Sequence, residues 1–167
     1  EMAGGGRGGY AFMGLLIGPA FVALYVVAGV PIARLADRSS RVKIIAVGCI
    51  LWSACTVATG FATGPVTLAL ARVGVGIGEA AFAAPAYSLL ADYFRPESRG
   101  KAYAILGLAT YFGQIAGQAG GPALGHAFGW HAAFWIMGTP GLLLGVLVVL
   151  LIREPARHLG AVDAPGQ

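Results

Sequence analysis

Ala33-Arg34-Leu35-Ala36-Asp37-Arg38-Ser39-Ser40-Arg41-Val42-Lys43 packs five charges into eleven residues. Residues 8–33 before it and 44–71 after it hold no charged side chain. A bilayer core takes about 20 apolar residues per helical span, so both flanks are long enough to cross. The stretch is therefore expected to be a tight loop between two spans. Its excess of Arg and Lys should hold it on the cytoplasmic side.

Composition points the same way. Of 167 residues, 57% are hydrophobic and 11% charged, with a mean hydropathy of +0.77. A soluble domain carries about 25% charged residues, so an all-α, polytopic membrane protein is expected. The net charge of +4 does not signal nucleic acid, because nine of the eleven basic residues fall in clusters at 34–43, 95–101 and 153–157. Clusters between apolar runs are topology signals and leave no basic face for a nucleic acid. Cys49 and Cys55 lie six apart in one expected helix, on different faces at about 100° per residue, and read as packing residues.

Residues 1–9 are Gly-rich and expected to form a disordered tail. A transmembrane helical domain is expected over 10–152, with spans at about 10–33, 44–62, 66–93, 102–124 and 132–152. Residues 153–167 read as a cytoplasmic tail. Loop charge alternates along the chain. The stretches 34–43, 92–101 and 153–157 are basic, whereas the turns at 63–65 and 126–131 hold no full charge. The basic loops are thus expected inside and the neutral turns outside. Five spans with a cytoplasmic C-terminus put the N-terminus outside, from which one further span upstream is expected and the chain reads as a fragment.

Arg72 and Glu79 are the ionisable pair well inside a span. Seven residues turn a helix through about 700°, so the two share nearly one face. Intramembrane charges normally face a bundle interior or a water-filled cavity. The favoured reading is a substrate or proton pathway with Glu79 as the titrating group; an ion pair that locks helices together is the other. Gly113, Gly117, Gly121 and Gly125 recur every four residues, a spacing that lets two membrane helices approach closely, with Pro122 adding a bend. This helix-packing seam is flanked by Gln114 and Gln118, which either line a cavity or hydrogen-bond across helices. Gly74, Gly76 and Gly78 lack the preceding strand of a dinucleotide fingerprint and read as packing. His126 and His131 flank Trp130 in an expected external turn and read as interface anchors rather than metal ligands. No nucleophile–base pair or metal motif is legible, so no catalytic residue, metal or cofactor is expected and the chain is not read as an enzyme.

Several of these stretches resemble motifs of one family. Leu35-Ala36-Asp37-Arg38-Ser39-Ser40-Arg41 resembles motif A of the major facilitator superfamily, the loop between its second and third helices. It departs at Ala33 and Ser40, where Gly is preferred, and at Val42, where a basic residue is usual. Leu70-Ala71-Arg72-Val73-Gly74-Val75-Gly76 is similar to motif B of the fourth helix. Gly117-Gln118-Ala119-Gly120-Gly121-Pro122-Ala123-Leu124-Gly125 is similar to the antiporter motif of the fifth, with His126 at its final Gly. Trp130-His131-Ala132-Ala133-Phe134 matches the start of the sixth helix, with His131 replacing the usual Arg. Within the superfamily, Arg72 to Ala80, Gly29 to Arg38 and Ala91-Asp92-Tyr93-Phe94 resemble the Spinster-like branch most.

The resemblance covers about residues 13–155 and places the five spans as helices two to six of an N-terminal six-helix half. It implies a secondary transporter whose two halves rock around a central site. Asp37, Arg38 and Arg41 would then latch the cytoplasmic ends of the halves in the outward-open state, and Asp92 would join that charge network. Arg72 and Glu79 would line the central cavity, with Glu79 as proton carrier. The function expected is proton-coupled transport of an amphipathic or organic-anion small molecule across the bacterial inner (plasma) membrane. Its partners would be that substrate, protons, the lipid bilayer, and the missing first helix and C-terminal half; nucleic acid is not among them. The alternative is a non-transporting truncated membrane protein, or a helical partner of another transporter half.

Overall fold

The computed structural model describes residue 14 and residues 18–155; the expected tail at 1–9, most of residues 10–17, and residues 156–167 lie outside the described residues. Among the described residues the chain forms six helices and no strand: α1 (Pro19–Arg38), α2 (Arg41–Thr59), α3 (Pro65–Ala80), α4 (Ala83–Tyr93), α5 (Pro96–Phe128) and α6 (Trp130–Leu151).

Local chemistry sets the helix ends. α1 starts on Pro19, whose missing N–H is not needed in a first turn. It continues past the apolar run through Arg34, Asp37 and Arg38, so the first loop shrinks to Ser39-Ser40. Ser40 caps α2: its Oγ accepts the Lys43 N–H at 3.3 Å. α3 opens on Pro65, and the Thr67 hydroxyl accepts the Gly64 N–H at 3.1 Å while donating to the Gly64 carbonyl at 2.8 Å. The apolar stretch over 66–93 is two helices. Pro85, in the first turn of α4, has no N–H to offer the Ala81 carbonyl. The chain tightens before it, with the Ala81 N–H bonding the Gly78 carbonyl and the Phe82 N–H the Glu79 carbonyl, each at 3.1 Å.

The charged stretch 92–101 is mostly the first turns of α5, because Pro96 starts that helix and Glu97 favours its positive end. The turn expected over 126–131 is one residue long. Gly129, at φ 85°, reverses the chain where an L side chain would be strained. His126 consequently sits in the last turn of α5 and His131 in the first of α6.

α2 is the central helix, packed on α3 and α6, while α1 lies on α3 and α5 on α6. Close contact depends on absent side chains. A Cβ at Gly78 would stand 2.6 Å from the Trp52 amide nitrogen and 2.8 Å from the Gly48 carbonyl oxygen. One at Gly138 would stand 3.0 Å from both the Ser53 carbonyl oxygen and the Val57 nitrogen. Membrane helices have little hydrophobic drive between them and associate through such small-residue packing.

Beside a small cluster of Val42, Ile45, Ala86 and Leu89, the interior is built largely from small residues such as Ala36, Ala46, Ala71, Ala80 and Ala133, while large apolar side chains such as Val27, Phe112 and Leu151 are exposed. That distribution suits lipid as the solvent. By length and composition, three helical stretches among the described residues can cross a membrane: Arg41–Thr59, Pro65–Tyr93 and Trp130–Leu151. α5 has the length, with 33 residues, but Gly, Gln114 and Gln118 dilute its apolarity. The chain is an integral, multi-pass membrane protein of all-α fold.

Candidate functional site

Arg41, the first residue of α2, is the hub of a cluster at one end of the bundle. The side chain is buried, at 4% exposure, so its charge must be matched. Its Nη1 meets Asp92 Oδ2 on α4 at 2.5 Å and donates to the Ser88 hydroxyl at 3.0 Å. Its Nε donates to Glu154 Oε1 at 2.8 Å, just past the end of α6. Glu154 also receives the Val42 N–H at 2.9 Å and the Ser40 hydroxyl at 2.8 Å on Oε2. Tyr93 adds a hydroxyl donated to the Arg153 carbonyl. One guanidinium thus ties together the ends of α2, α4 and α6. Its Nη2 is buried with no hydrogen-bond partner among the described residues.

Burial works against the Glu154 carboxylate, but the hydrogen bonds from Val42, Arg41 and Ser40 outweigh it and lower its pKa from 4.5 to about 2. A depressed carboxylate pKa stabilises the fold fully above the unfolded value and loses that contribution as pH falls through the folded one. Stability attributable to Glu154 should therefore be flat above pH 4.5 and decline toward pH 2. Thermal unfolding in detergent, followed from pH 6 to pH 3, should show this acid limb in the native chain. Glu154→Gln should shallow it, and an unchanged acid slope would refute the assignment.

Of the three expected latch residues, Arg41 is the buried hub, whereas Asp37 and Arg38 lie exposed at the end of α1. Asp92 joins the cluster as the resemblance implied. Ser88 and Glu154 were not singled out by the sequence. The signal available was loop alternation, which puts 34–43, 92–101 and 153–157 on one side and Glu154 within reach of Arg41.

Arg72 and Glu79 occupy α3 but do not pair with each other among the described residues. Seven residues of rise, about 10 Å, hold them apart. Arg72 places its guanidinium over the Phe134 ring of α6, 5.8 Å from the centroid. The Glu79 side chain is exposed and has no hydrogen bond or ion pair among the described residues. Gln114 and Gln118 are exposed on α5. Of the glycine stripe, Gly117 and Gly121 face Met137 of α6, where an added Cβ would lie 3.9 and 3.8 Å from it. Gly113 and Gly125 face no such neighbour within 4 Å. Closer approaches lie elsewhere, at Gly48, Gly74 and Gly78 between α2 and α3 and at Gly138, Gly141 and Gly145 between α2 and α6. Pro122, His126, Trp130 and Phe134 line an open cleft of about 520 Å³ between α5 and α6.

Comparison with known proteins places this arrangement. Residues 8–166 match the family model described as Major Facilitator Superfamily. The chain is 36% identical over 141 residues to an MFS-type efflux pump of Mycolicibacterium smegmatis, covering 84% of this chain and 33% of that protein. It is 31% identical over 157 residues to the sphingosine-1-phosphate transporter SPNS2 of Danio rerio, covering 90% of this chain and 30% of that one. Among solved structures it resembles a bacterial homologue of the human lysosomal transporter Spinster, inward-facing and unoccupied. The TM-score there is 0.75 at 36% identity, over 94% of this chain and 38% of the other. The chain spans about a third of the length of these relatives. It belongs to the major facilitator superfamily, on its Spinster-like branch.

Proposed function

We propose that this chain is the N-terminal part of a proton-coupled secondary transporter that moves an amphipathic or organic-anion small molecule across the bacterial inner membrane. Its partners in that reading are the substrate, protons, a preceding helix and a C-terminal half. The protein is a carrier and not an enzyme. The observation that carries the proposal is the pair on α3: Arg72 against an aromatic ring and Glu79 exposed on the same helix without a partner. A carboxylate inside a span is costly unless it faces a cavity or binds something, and a proton is the smallest thing it binds. Arg72 supplies the positive charge that would attract an anionic substrate to the same face.

The Arg41 cluster supports the other half of the reading. Its three helix ends separate or stay joined according to what Arg41 holds, and the unpaired Nη2 gives it a donor for a change of partners between conformations. Asp37 and Arg38, exposed beside it, are placed to meet a second bundle.

The test is uptake by the whole transporter reconstituted in vesicles under an imposed pH gradient. Glu79→Gln should abolish the response to the gradient, down to background, while exchange without a gradient continues. A pH response that survives in Glu79→Gln places the proton carrier on another residue.

A further inference from the structure

Between α1, α2 and α3 runs an open groove of about 400 Å³. Its walls are Ile32 and Leu35 of α1, Val47 and Leu51 of α2, and Ile77 of α3, and its floor is Gly48, Gly78 and Ala81, where the backbones meet. Leu35 is 57% and Val47 65% exposed, so the groove is unfilled apolar surface. One end has different chemistry: there Ser39, Ser40 and Lys43 line it. Lys43 is exposed and makes no ion pair among the described residues, whereas the neighbouring Arg41 is committed to Asp92 and Glu154.

A surface that is apolar along its length and cationic where the helices leave the membrane complements an amphiphile with an anionic head. We infer that this groove binds an anionic glycerophospholipid, with the phosphate at Lys43 and one acyl chain along Leu35, Val47 and Ile77. From Lys43 to Leu51 α2 rises about 12 Å, a distance that an acyl chain fills and a headgroup does not. Basic loops face the cytoplasm, where anionic lipids concentrate, and basic pockets between helices on that side take phospholipid heads. The site is distinct from the Arg72–Glu79 face, since Ile77 stands about 200° round α3 from Glu79. It touches the charge cluster through Ser40, which lines the groove and donates to Glu154.

Native mass spectrometry of the purified full chain, in micelles doped with phosphatidylglycerol or phosphatidylcholine, tests this. The native chain should retain phosphatidylglycerol in preference to phosphatidylcholine. Lys43→Gln should lower phosphatidylglycerol retention about five-fold, the effect of one basic residue at a lipid surface. Val47→Trp, on an exposed wall that tolerates bulk, should lower retention of both lipids by filling the groove. Lys101→Gln and Arg72→Gln should leave binding unchanged. Equal retention of the two lipids would overturn the inference, as would loss of binding in Arg72→Gln or indifference to both groove variants. Competition by inorganic phosphate alone would also overturn it, by marking an anion site with no role for the acyl chain.

Discussion

Arg41→Ala should cost about 3–5 kcal/mol of stability, the range for removing one partner of a buried charge pair. Domains hold only about 5–15 kcal/mol in total, so little folded protein should remain in the membrane fraction. The expected size follows from what is left behind. Asp92 and Glu154 would both lose their cation, and the Ser88 hydroxyl would lose its donor. Arg41→Lys should recover only part of the loss. An ammonium is a point charge on a flexible stem, whereas Arg41 serves Asp92 through Nη1 and Glu154 through Nε at once. Unfolding in detergent at neutral pH reads the order native, Lys, Ala. An Ala variant within about 1 kcal/mol of native, the worth of an exposed pair, would mean the cluster is solvated rather than buried.

The second large effect lies where α2 crosses α3. Gly78→Leu should push these helices apart and lower stability by more than the roughly 1–3 kcal/mol typical of overpacking. The first added carbon already meets backbone on the facing helix, 2.6 Å from the Trp52 nitrogen, and backbone cannot rotate away. The contact is reciprocal, since a Cβ at Gly48 would lie 2.7 Å from the Gly78 carbonyl oxygen. Gly74→Ala should be milder, because the new methyl meets the Cys55 side chain, which unlike backbone can change rotamer. Gly113→Ala, with no neighbour within 4 Å, should be neutral or stabilise slightly through better helix propensity. Melting temperatures of the three variants should fall in the order Gly113→Ala, Gly74→Ala, Gly78→Leu. A Gly78 variant that melts like the native chain would contradict the packing of α2 on α3.

The helices themselves were legible in the sequence because charge-free runs of membrane-spanning length leave few alternatives to a helix. Their ends were less so. α1 extends beyond its apolar run because Arg34, Leu35, Ala36 and Arg38 are good helix formers, and it stops only at Ser39-Ser40. The break before α4 comes from Pro85, a residue that sequence reading passed over inside an apolar stretch. The reduction of the last turn to Gly129 reflects a single positive φ, which leaves no periodic signal. The candidate site was legible to the extent that it depends on which side of the membrane a loop occupies. Arg41, Asp92 and Glu154 come from three basic stretches that alternation sends to one face. Which of the loop arginines becomes the hub was not legible, because burial depends on how α4 and α6 close over α2. The glycine spacing was ambiguous for a related reason. A regular stripe on α5 advertises a seam, yet the closest contacts use glycines on α3 and α6 whose facing partners the sequence does not mark.

One guanidinium, and not the apolar packing around it, joins the ends of α2, α4 and α6. A double-mutant cycle between Arg41→Gln and Glu154→Gln, read from unfolding free energies at neutral pH, separates the two. A coupled pair should give an interaction energy of about 0.5–3 kcal/mol, with the double variant less destabilised than the sum of the singles. Additive losses, within about 0.5 kcal/mol, would mean that the two side chains act independently and that the cluster does not tie the helices together.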